Sequence, residues 1–301
     1  MAQAPIGFVG LGNMGGRIAR RIVDAGMQVV GFDTDEAKVR DAGAEPAESV
    51  AAVTRRTDVI LLSLPDSPVV EAVVRGEEGI LAACRRGQIV VDLSTAAPRS
   101  TLALHSDLQD KGVEFVDAGV SGGAAAAEKG TLAIMAGGSA EALETVRPIL
   151  DTFSSNVFHM GESGAGHTTK LLNNFLNGVS LSATAEVMVA ARKAGLDLHT
   201  FLDVVNHSSG VNFATLNRFP RIIEGDYLEG GLTSNLMLKD LTLYLEYVQE
   251  LGTPSINAAG TLASFGLAAR LGYGEQISNK VVDALGDLAG GIRLYEPPPE
   301  S

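Results

Sequence analysis

Lys170, Asn173, Asn174 and Asn177 recur at i, i+3, i+4 and i+7, a spacing that sets all four on one face of a helix. Their neighbours Leu171, Leu172, Phe175, Leu176 and Val179 are apolar. A polar stripe with one cation on a helix otherwise fit for burial must meet solvent or line a site. Coming just after Gly164-Ala165-Gly166, at the point where the pattern of the chain changes, the group reads as a site. A lysine partly desolvated beside an apolar wall has its pKa lowered. It can then exchange a proton with an alcohol oxygen near neutral pH.

Two further groups accompany it. Ser121-Gly122-Gly123 offers a hydroxyl and open backbone N–H groups. It is suited to gripping a carboxylate, or is simply a turn. Lys239-Asp240 lies among Leu236, Met237, Leu238, Leu241 and Leu243, where a lysine needs a partner, either a ligand or an acid such as Asp240. The histidines 105, 159, 167, 199 and 207 are dispersed without metal-type spacing, so no metal is expected; His167, one turn from Lys170, reads as a bystander. There is no Tyr-x-x-x-Lys pair and no Gly-x-Ser-x-Gly elbow, which disfavours short-chain reductase and α/β-hydrolase chemistry.

The elements that must position these groups begin with Gly10-Leu11-Gly12-Asn13-Met14-Gly15, set between the apolar run 6–9 and a helical pattern through Ile18, Ile22 and Val23. Strand, glycine turn and helix in that order bring backbone N–H groups against a pyrophosphate. A second apolar run, Met27 to Phe32, ends in Asp33, about 20 residues on, where a carboxylate can hold a ribose 2′-hydroxyl. The residue types favour NAD, while Thr34 and Lys38 leave NADP possible. Runs 58–63, 88–92, 113–116 and 131–135 read as further strands, with helices starting near Asp66, Pro98 and Ser139. The fold class is α/β: a doubly wound Rossmann domain over 1–163, with Leu64-Pro65, Ser94-Thr95 and 118–123 in loops at strand ends. Ala124 to Ala127 reads as loop or half-turn. From 168 to 194 a single long helix is expected, followed by helical segments and no strand. This predicts an all-helical substrate and dimerisation domain over 164–291, joined through that helix, and a flexible proline-rich tail over 292–301.

Bulk composition narrows the partners. The 301 residues are 46% hydrophobic and 20% charged, with a formal net charge of −13. That charge disfavours nucleic acid and anionic membrane as partners but leaves room for a local basic pocket. Cys84 is the single cysteine, so no internal disulfide forms. No leader segment or membrane span is visible, and a cytoplasmic location is expected. The apolar surplus of the helical half predicts a homodimer or homotetramer.

Taken together, the chain from about residue 5 to 290 resembles the β-hydroxyacid dehydrogenase family, which includes 3-hydroxyisobutyrate dehydrogenases and tartronate semialdehyde reductases. The motifs that carry the resemblance are 7–15, Asp92-Leu93-Ser94-Thr95 with Pro98, Asp117-Ala118-Gly119-Val120-Ser121-Gly122-Gly123, Gly164-Ala165-Gly166 followed by Lys170 and Asn173-Asn174, and Lys239-Asp240-Leu241. The resemblance implies that Lys170 is the acid/base and that Ser121, Gly122, Gly123 and Asn174 bind the substrate carboxylate. It likewise implies that Leu64, Pro65, Thr95 and Lys239 contact the cofactor. One departure is Gly119, where the family usually carries proline.

The expected reaction is hydride transfer between a nicotinamide cofactor, NAD or NADP, and a small anionic 3-hydroxyacid or semialdehyde. Within the same fold, tartronate semialdehyde reduction and imine reduction are alternatives; imine reductases usually lack the lysine. A non-catalytic nucleotide-binding scaffold is the alternative from another class.

Overall fold

The computed structural model describes residues 4–295. By contacts the chain divides into two compact units, Met1–Lys170 and Leu171–Ser301.

The first unit is built on one sheet of eight strands: β1 (Ile6–Val9), β2 (Val29–Phe32), β3 (Glu45–Pro46), β4 (Val59–Leu62), β5 (Ile89–Asp92), β6 (Glu114–Ser121), β7 (Leu132–Gly137) and β8 (Ser154–Gly161). Their order is β3-β2-β1-β4-β5-β6-β7-β8. All neighbours are parallel except β6 and β7. Helices connect them: α1 (Asn13–Asp24), α2 (Glu36–Asp41), α3 (Val50–Arg56), α4 (Ser67–Arg75), α5 (Ile80–Ala83), α6 (Pro98–Gln109), α7 (Gly123–Lys129) and α8 (Ala140–Leu150).

Alternation along the strands sends side chains to opposite faces of the sheet. Phe8, Leu61 and Val91 pack with Ile18 and Ile22 of α1 and Val146 of α8. Val9, Ile60, Leu62 and Val90 pack with Val53 of α3, Val70 and Val74 of α4, and Leu104 and Leu108 of α6. Both faces of the sheet are therefore covered by helices, which is why its central strands read as unbroken apolar runs.

The second unit is helical. The helix α9 (Ala165–Lys193) begins in the first unit and continues through the second. It is followed by α10 (Leu198–Asn206), α11 (Phe213–Asn217), α12 (Phe219–Ile222), α13 (Ser234–Glu250), α14 (Ala258–Ala268) and α15 (Val281–Leu288). Leu181, Ala185 and Met188 of α9 meet Met237 and Leu241 of α13, Phe265 of α14 and Val281 of α15 in its core. Phe175 stacks on Tyr244 with centroids 3.9 Å apart. Gly178 lets α9 and α13 approach closely: a Cβ there would stand 3.0 Å from Leu241 Cδ2.

Several expectations need correction. Residues 118–121 are not a loop: β6 runs on to Ser121, and Gly119 and Val120 pair with Met135 and Ile134 of β7. The alanine run at 124–127 is helical, within α7, as alanine's high helix propensity favours. Strand β8 went unread because most of it, Ser-Ser-Asn-Val-Phe-His-Met-Gly, is exposed or half-buried at the sheet edge and lacks an apolar run. By contacts the first unit takes in the opening of α9 as far as Lys170, because that opening packs on β6 and β7. A Cβ at Gly166 would lie 2.3 Å from Asp117 O and 2.5 Å from Met135 O. The expected loose tail starts too early. Leu294 is 4% exposed in the helical core, and Arg293 pairs with Asp287. Residues 296–301 of that tail lie outside the described residues.

Candidate active site

The glycine turn has the geometry a pyrophosphate cradle requires. Gly10 has φ 87°, and a Cβ there would strike Ser63 O at 2.4 Å. A Cβ at Gly15 would lie 2.0 Å from Gly10 O, so the third glycine seats α1 on the turn. Around Gly12 nothing stands within 4 Å of the Cβ position. Gly12 also caps α1 without a side chain, and the first turn of α1 carries no acid. The three glycines thus make a tight turn, an open approach and a close helix contact. Leu11 is 2% exposed, inside the core of one sheet face, while Asn13 and Met14 open α1, where the Asn13 side chain accepts from Arg17.

Asp33 follows the end of β2. Its Oδ2 accepts from Leu11 N at 2.7 Å and its Oδ1 from Asp35 N at 3.0 Å. Lys38 Nζ stands 3.8 Å from Oδ1. The carboxylate is thereby tied to the glycine turn, one cation beside it. Leu64 follows β4, and its N–H donates to Ser94 Oγ at 2.9 Å, linking the loops after β4 and β5. Leu64 and Thr95 are half-buried and Pro65 is exposed. An open backbone at Gly12, an acid bonded to the same turn and linked loops after β4 and β5 fit a dinucleotide.

Lys170 is half-buried on α9. Its stem lies directly on β6: the Cβ position of Gly119 is 2.6 Å from Lys170 Cβ and 3.1 Å from Lys170 Cγ. Two residues further along the same strand, Ser121 is half-buried, and Gly122 and Gly123 are exposed with φ 127° and 70°.

Asp117, also on β6, explains how α9 is anchored. It is fully buried, and its Oδ1 and Oδ2 accept from Gly164 N and His167 N at 2.7 Å each. A carboxylate accepting two of the orphan N–H groups at a helix start is a strong cap. His167 is buried beside it, with Nδ1 2.7 Å from Thr101 Oγ1 and Nε2 3.2 Å from Asp92 O. Sequence reasoning passed over Asp117 and His167 as functional residues. The available signal was an acid in a strand of otherwise buried residues.

In the helical unit Asn174 is 3% exposed, and its Nδ2 donates to Asp240 Oδ2 at 2.5 Å. Asp240, 2% exposed, also stands 3.1 Å from Lys239 Nζ through Oδ1. One buried carboxylate therefore holds both Asn174 and Lys239, so the ion pair, one of the two readings of 239–240, forms and carries a third member. Asn173 is exposed, and Asn177 accepts from Arg218 at 2.9 Å. Of the polar stripe on α9, two members are thus bound into the helical unit and one faces outward. Among the described residues, no group of three His, Cys, Asp or Glu could hold a metal, and no helix is long and apolar enough to cross a membrane.

Two family models match the chain. The NAD-binding domain of 6-phosphogluconate dehydrogenase covers residues 5–161, and the NAD-binding domain of NADP-dependent 3-hydroxyisobutyrate dehydrogenase covers 164–285. A 2-(hydroxymethyl)glutarate dehydrogenase of Eubacterium barkeri is 35% identical over 288 residues, 95% of this chain and 96% of that protein. An NAD-dependent L-serine dehydrogenase of Pseudomonas aeruginosa is 36% identical, covering 90% of this chain and 94% of the relative. The solved Mycobacterium tuberculosis 3-hydroxyisobutyrate dehydrogenase with L-serine superposes with TM-score 0.85 at 29% identity, over 94% of this chain and 99% of that one. With the dinucleotide cradle and these full-length matches, the chain belongs to the β-hydroxyacid dehydrogenase family of NAD(P)-dependent oxidoreductases.

Proposed function

We propose that the protein oxidises the primary alcohol of a small 3-hydroxyacid, or reduces the matching semialdehyde, with Lys170 as the general acid/base. The bound nicotinamide supplies the two-electron step, accepting or donating hydride. In the oxidative direction Lys170 Nζ takes the hydroxyl proton as the C–H hydride leaves and the C=O bond forms; in reduction it returns the proton to the alkoxide oxygen. Ser121, Gly122 and Gly123, and from α9 Asn174, are assigned to the substrate carboxylate. Gly10, Gly12, Gly15, Asp33, Leu64, Pro65, Thr95 and Lys239 are assigned to the cofactor, with NAD preferred because the Asp33 carboxylate repels a 2′-phosphate.

The observation that carries this reading is the half-buried Lys170 laid on β6, the strand that ends in Ser121. The relatives' names point the same way. 2-(Hydroxymethyl)glutarate, L-serine and 3-hydroxyisobutyrate share the unit HO–CH2–CH(R)–COO⁻ and differ only in R. Lys170→Ala tests the assignment: turnover of every 3-hydroxyacid falls by about 10²–10⁴ while NADH still binds, as read by its fluorescence. Wild-type turnover in this variant refutes it.

We also propose that the helical unit pairs with a second copy. Leu172, Leu176 and Val187 of α9 and Phe213 and Leu216 of α11 are exposed, and a second copy would cover them. Sedimentation of the full chain reads the outcome, and a monomer at micromolar concentration refutes it.

A further inference from the structure

Arg218 is a cation of the helical unit that its neighbours leave unexplained. It stands half-buried between α11 and α12. Its Nη1 donates to Asn279 Oδ1 at 2.8 Å and its Nη2 to Asn177 Oδ1 at 2.9 Å, and the guanidinium lies 5.7 Å from the Phe213 ring centroid. All three neighbours are uncharged. Burial pulls its pKa down to about 10, with no carboxylate among the described residues offsetting it, so it remains a cation at neutral pH. Three residues on, Arg221 has Asp226. Partly desolvating a guanidinium without a counter-charge is unfavourable. Two asparagine oxygens could be served as well by a neutral donor, so the charge implies an anion that arrives from outside. The guanidinium has donors to spare for one, since among the described residues its five N–H groups meet two acceptors.

Asn177, which braces Arg218, is one turn from Asn174 on the same face of α9, a rise of about 4.5 Å. Asn174 is the residue assigned above to the substrate carboxylate, and the inference rests on that assignment. An anion at Arg218 would lie beside Asn177, one helical turn from a carboxylate held by Asn174 and within reach of a second acidic group on the same small substrate.

We propose that Arg218, held by Asn177 and Asn279, is a second anion subsite, and that the substrate is a 3-hydroxyacid whose R group ends in a second carboxylate. The first test needs only the wild-type protein. The ratio kcat/KM is compared for 2-(hydroxymethyl)glutarate, 3-hydroxyisobutyrate and L-serine. Charge-assisted hydrogen bonds at the subsite predict a preference of about 10–150-fold for the diacid, residing in KM. A wild-type protein that turns over either of the other acids as well as the diacid overturns the proposal. So does one that prefers the analogue with a distal phosphonate. Absence of turnover with every hydroxyacid refutes instead the function proposed above.

Arg218→Met then separates recognition from scaffolding. A recognition role predicts that the diacid-to-monoacid ratio falls towards one. A purely structural arginine lowers both acids equally and leaves the ratio, overturning the proposal. Thermal melting of the cofactor-loaded wild-type protein gives a readout without turnover: glutarate raises Tm more than butyrate does. Equal shifts overturn the proposal.

Discussion

Replacing Gly119 by Ala is the sharpest probe of how Lys170 is placed. The new Cβ would fall 2.6 Å from Lys170 Cβ and 3.1 Å from Cγ, whereas carbon atoms settle at about 3.5–4.0 Å. Lys170 Cβ is fixed to the helix backbone, so no rotamer change relieves the shorter contact. The helix at this point must retreat by about 1 Å. Gly119 is not among the residues with positive φ, so alanine meets no backbone strain and the effect is purely steric.

Two energies then oppose each other. Overpacking costs about 1–3 kcal/mol, and loss of glycine's unfolded-state freedom returns about 0.5–1 kcal/mol. The protein should remain folded, with Tm lowered by a few degrees. Catalysis is more sensitive, because a displacement of about 1 Å can cost about 10²-fold, which is about 2.7 kcal/mol of barrier. The assay is steady-state turnover at saturating cofactor, with NADH binding and Tm measured on the same sample. The expected outcome is a kcat reduced by about 10–10²-fold, with NADH affinity retained. Unchanged kcat in a folded protein would show that the strand does not set the depth of Lys170. Gly119→Pro carries the same Cβ and should be no faster.

The network at Asp240 predicts that Asp240→Asn weakens hydroxyacid binding, since Asn174 loses a charged acceptor at 2.5 Å; a rise in KM of about tenfold or more is expected, and an unchanged KM counts against Asn174 as a carboxylate ligand. Asp33→Ser removes the charge beside Lys38 and should move the NADP-to-NAD ratio of kcat/KM by at least about tenfold towards NADP; an unmoved ratio shows that Asp33 does not select the cofactor. The Arg293 guanidinium, and then the Tyr273 hydroxyl, hold the Asp287 carboxyl below its ordinary value of 3.8. Its contribution to stability is therefore present above pH 3.8 and is lost as pH falls through the lower folded value. Asp287→Asn should shrink the drop in Tm between pH 6 and pH 3, and an equal drop refutes this. Leu294→Ala, at a position 4% exposed, should cost about 2–5 kcal/mol, as read by denaturant unfolding.

Much of the α/β unit was legible because parallel strands buried on both faces leave continuous apolar runs. The glycine turn was legible because its steric demands are local: positive φ at Gly10 and close approach at Gly15 admit no other residue. Lys170 stood out for a related reason, since helical spacing alone gathers it with Asn174 and Asn177. The extension of β6 through Ser121 was hidden because glycine and alanine carry no strand pattern, and only pairing with β7 makes them a strand. Edge strand β8 was equally silent.

What residue order determined by itself is therefore the set of local geometries, namely turn, helix face and buried run, each governed by neighbours within a few positions. What only the folded chain decided are the long-range placements: Asp117 capping the start of α9, Gly119 receiving the stem of Lys170, Asp240 holding Asn174 and Lys239, and Arg218 left among neutral partners. Burial and a lone charge belong to the packed state, where water is gone and residues distant in the chain become the solvent for one another.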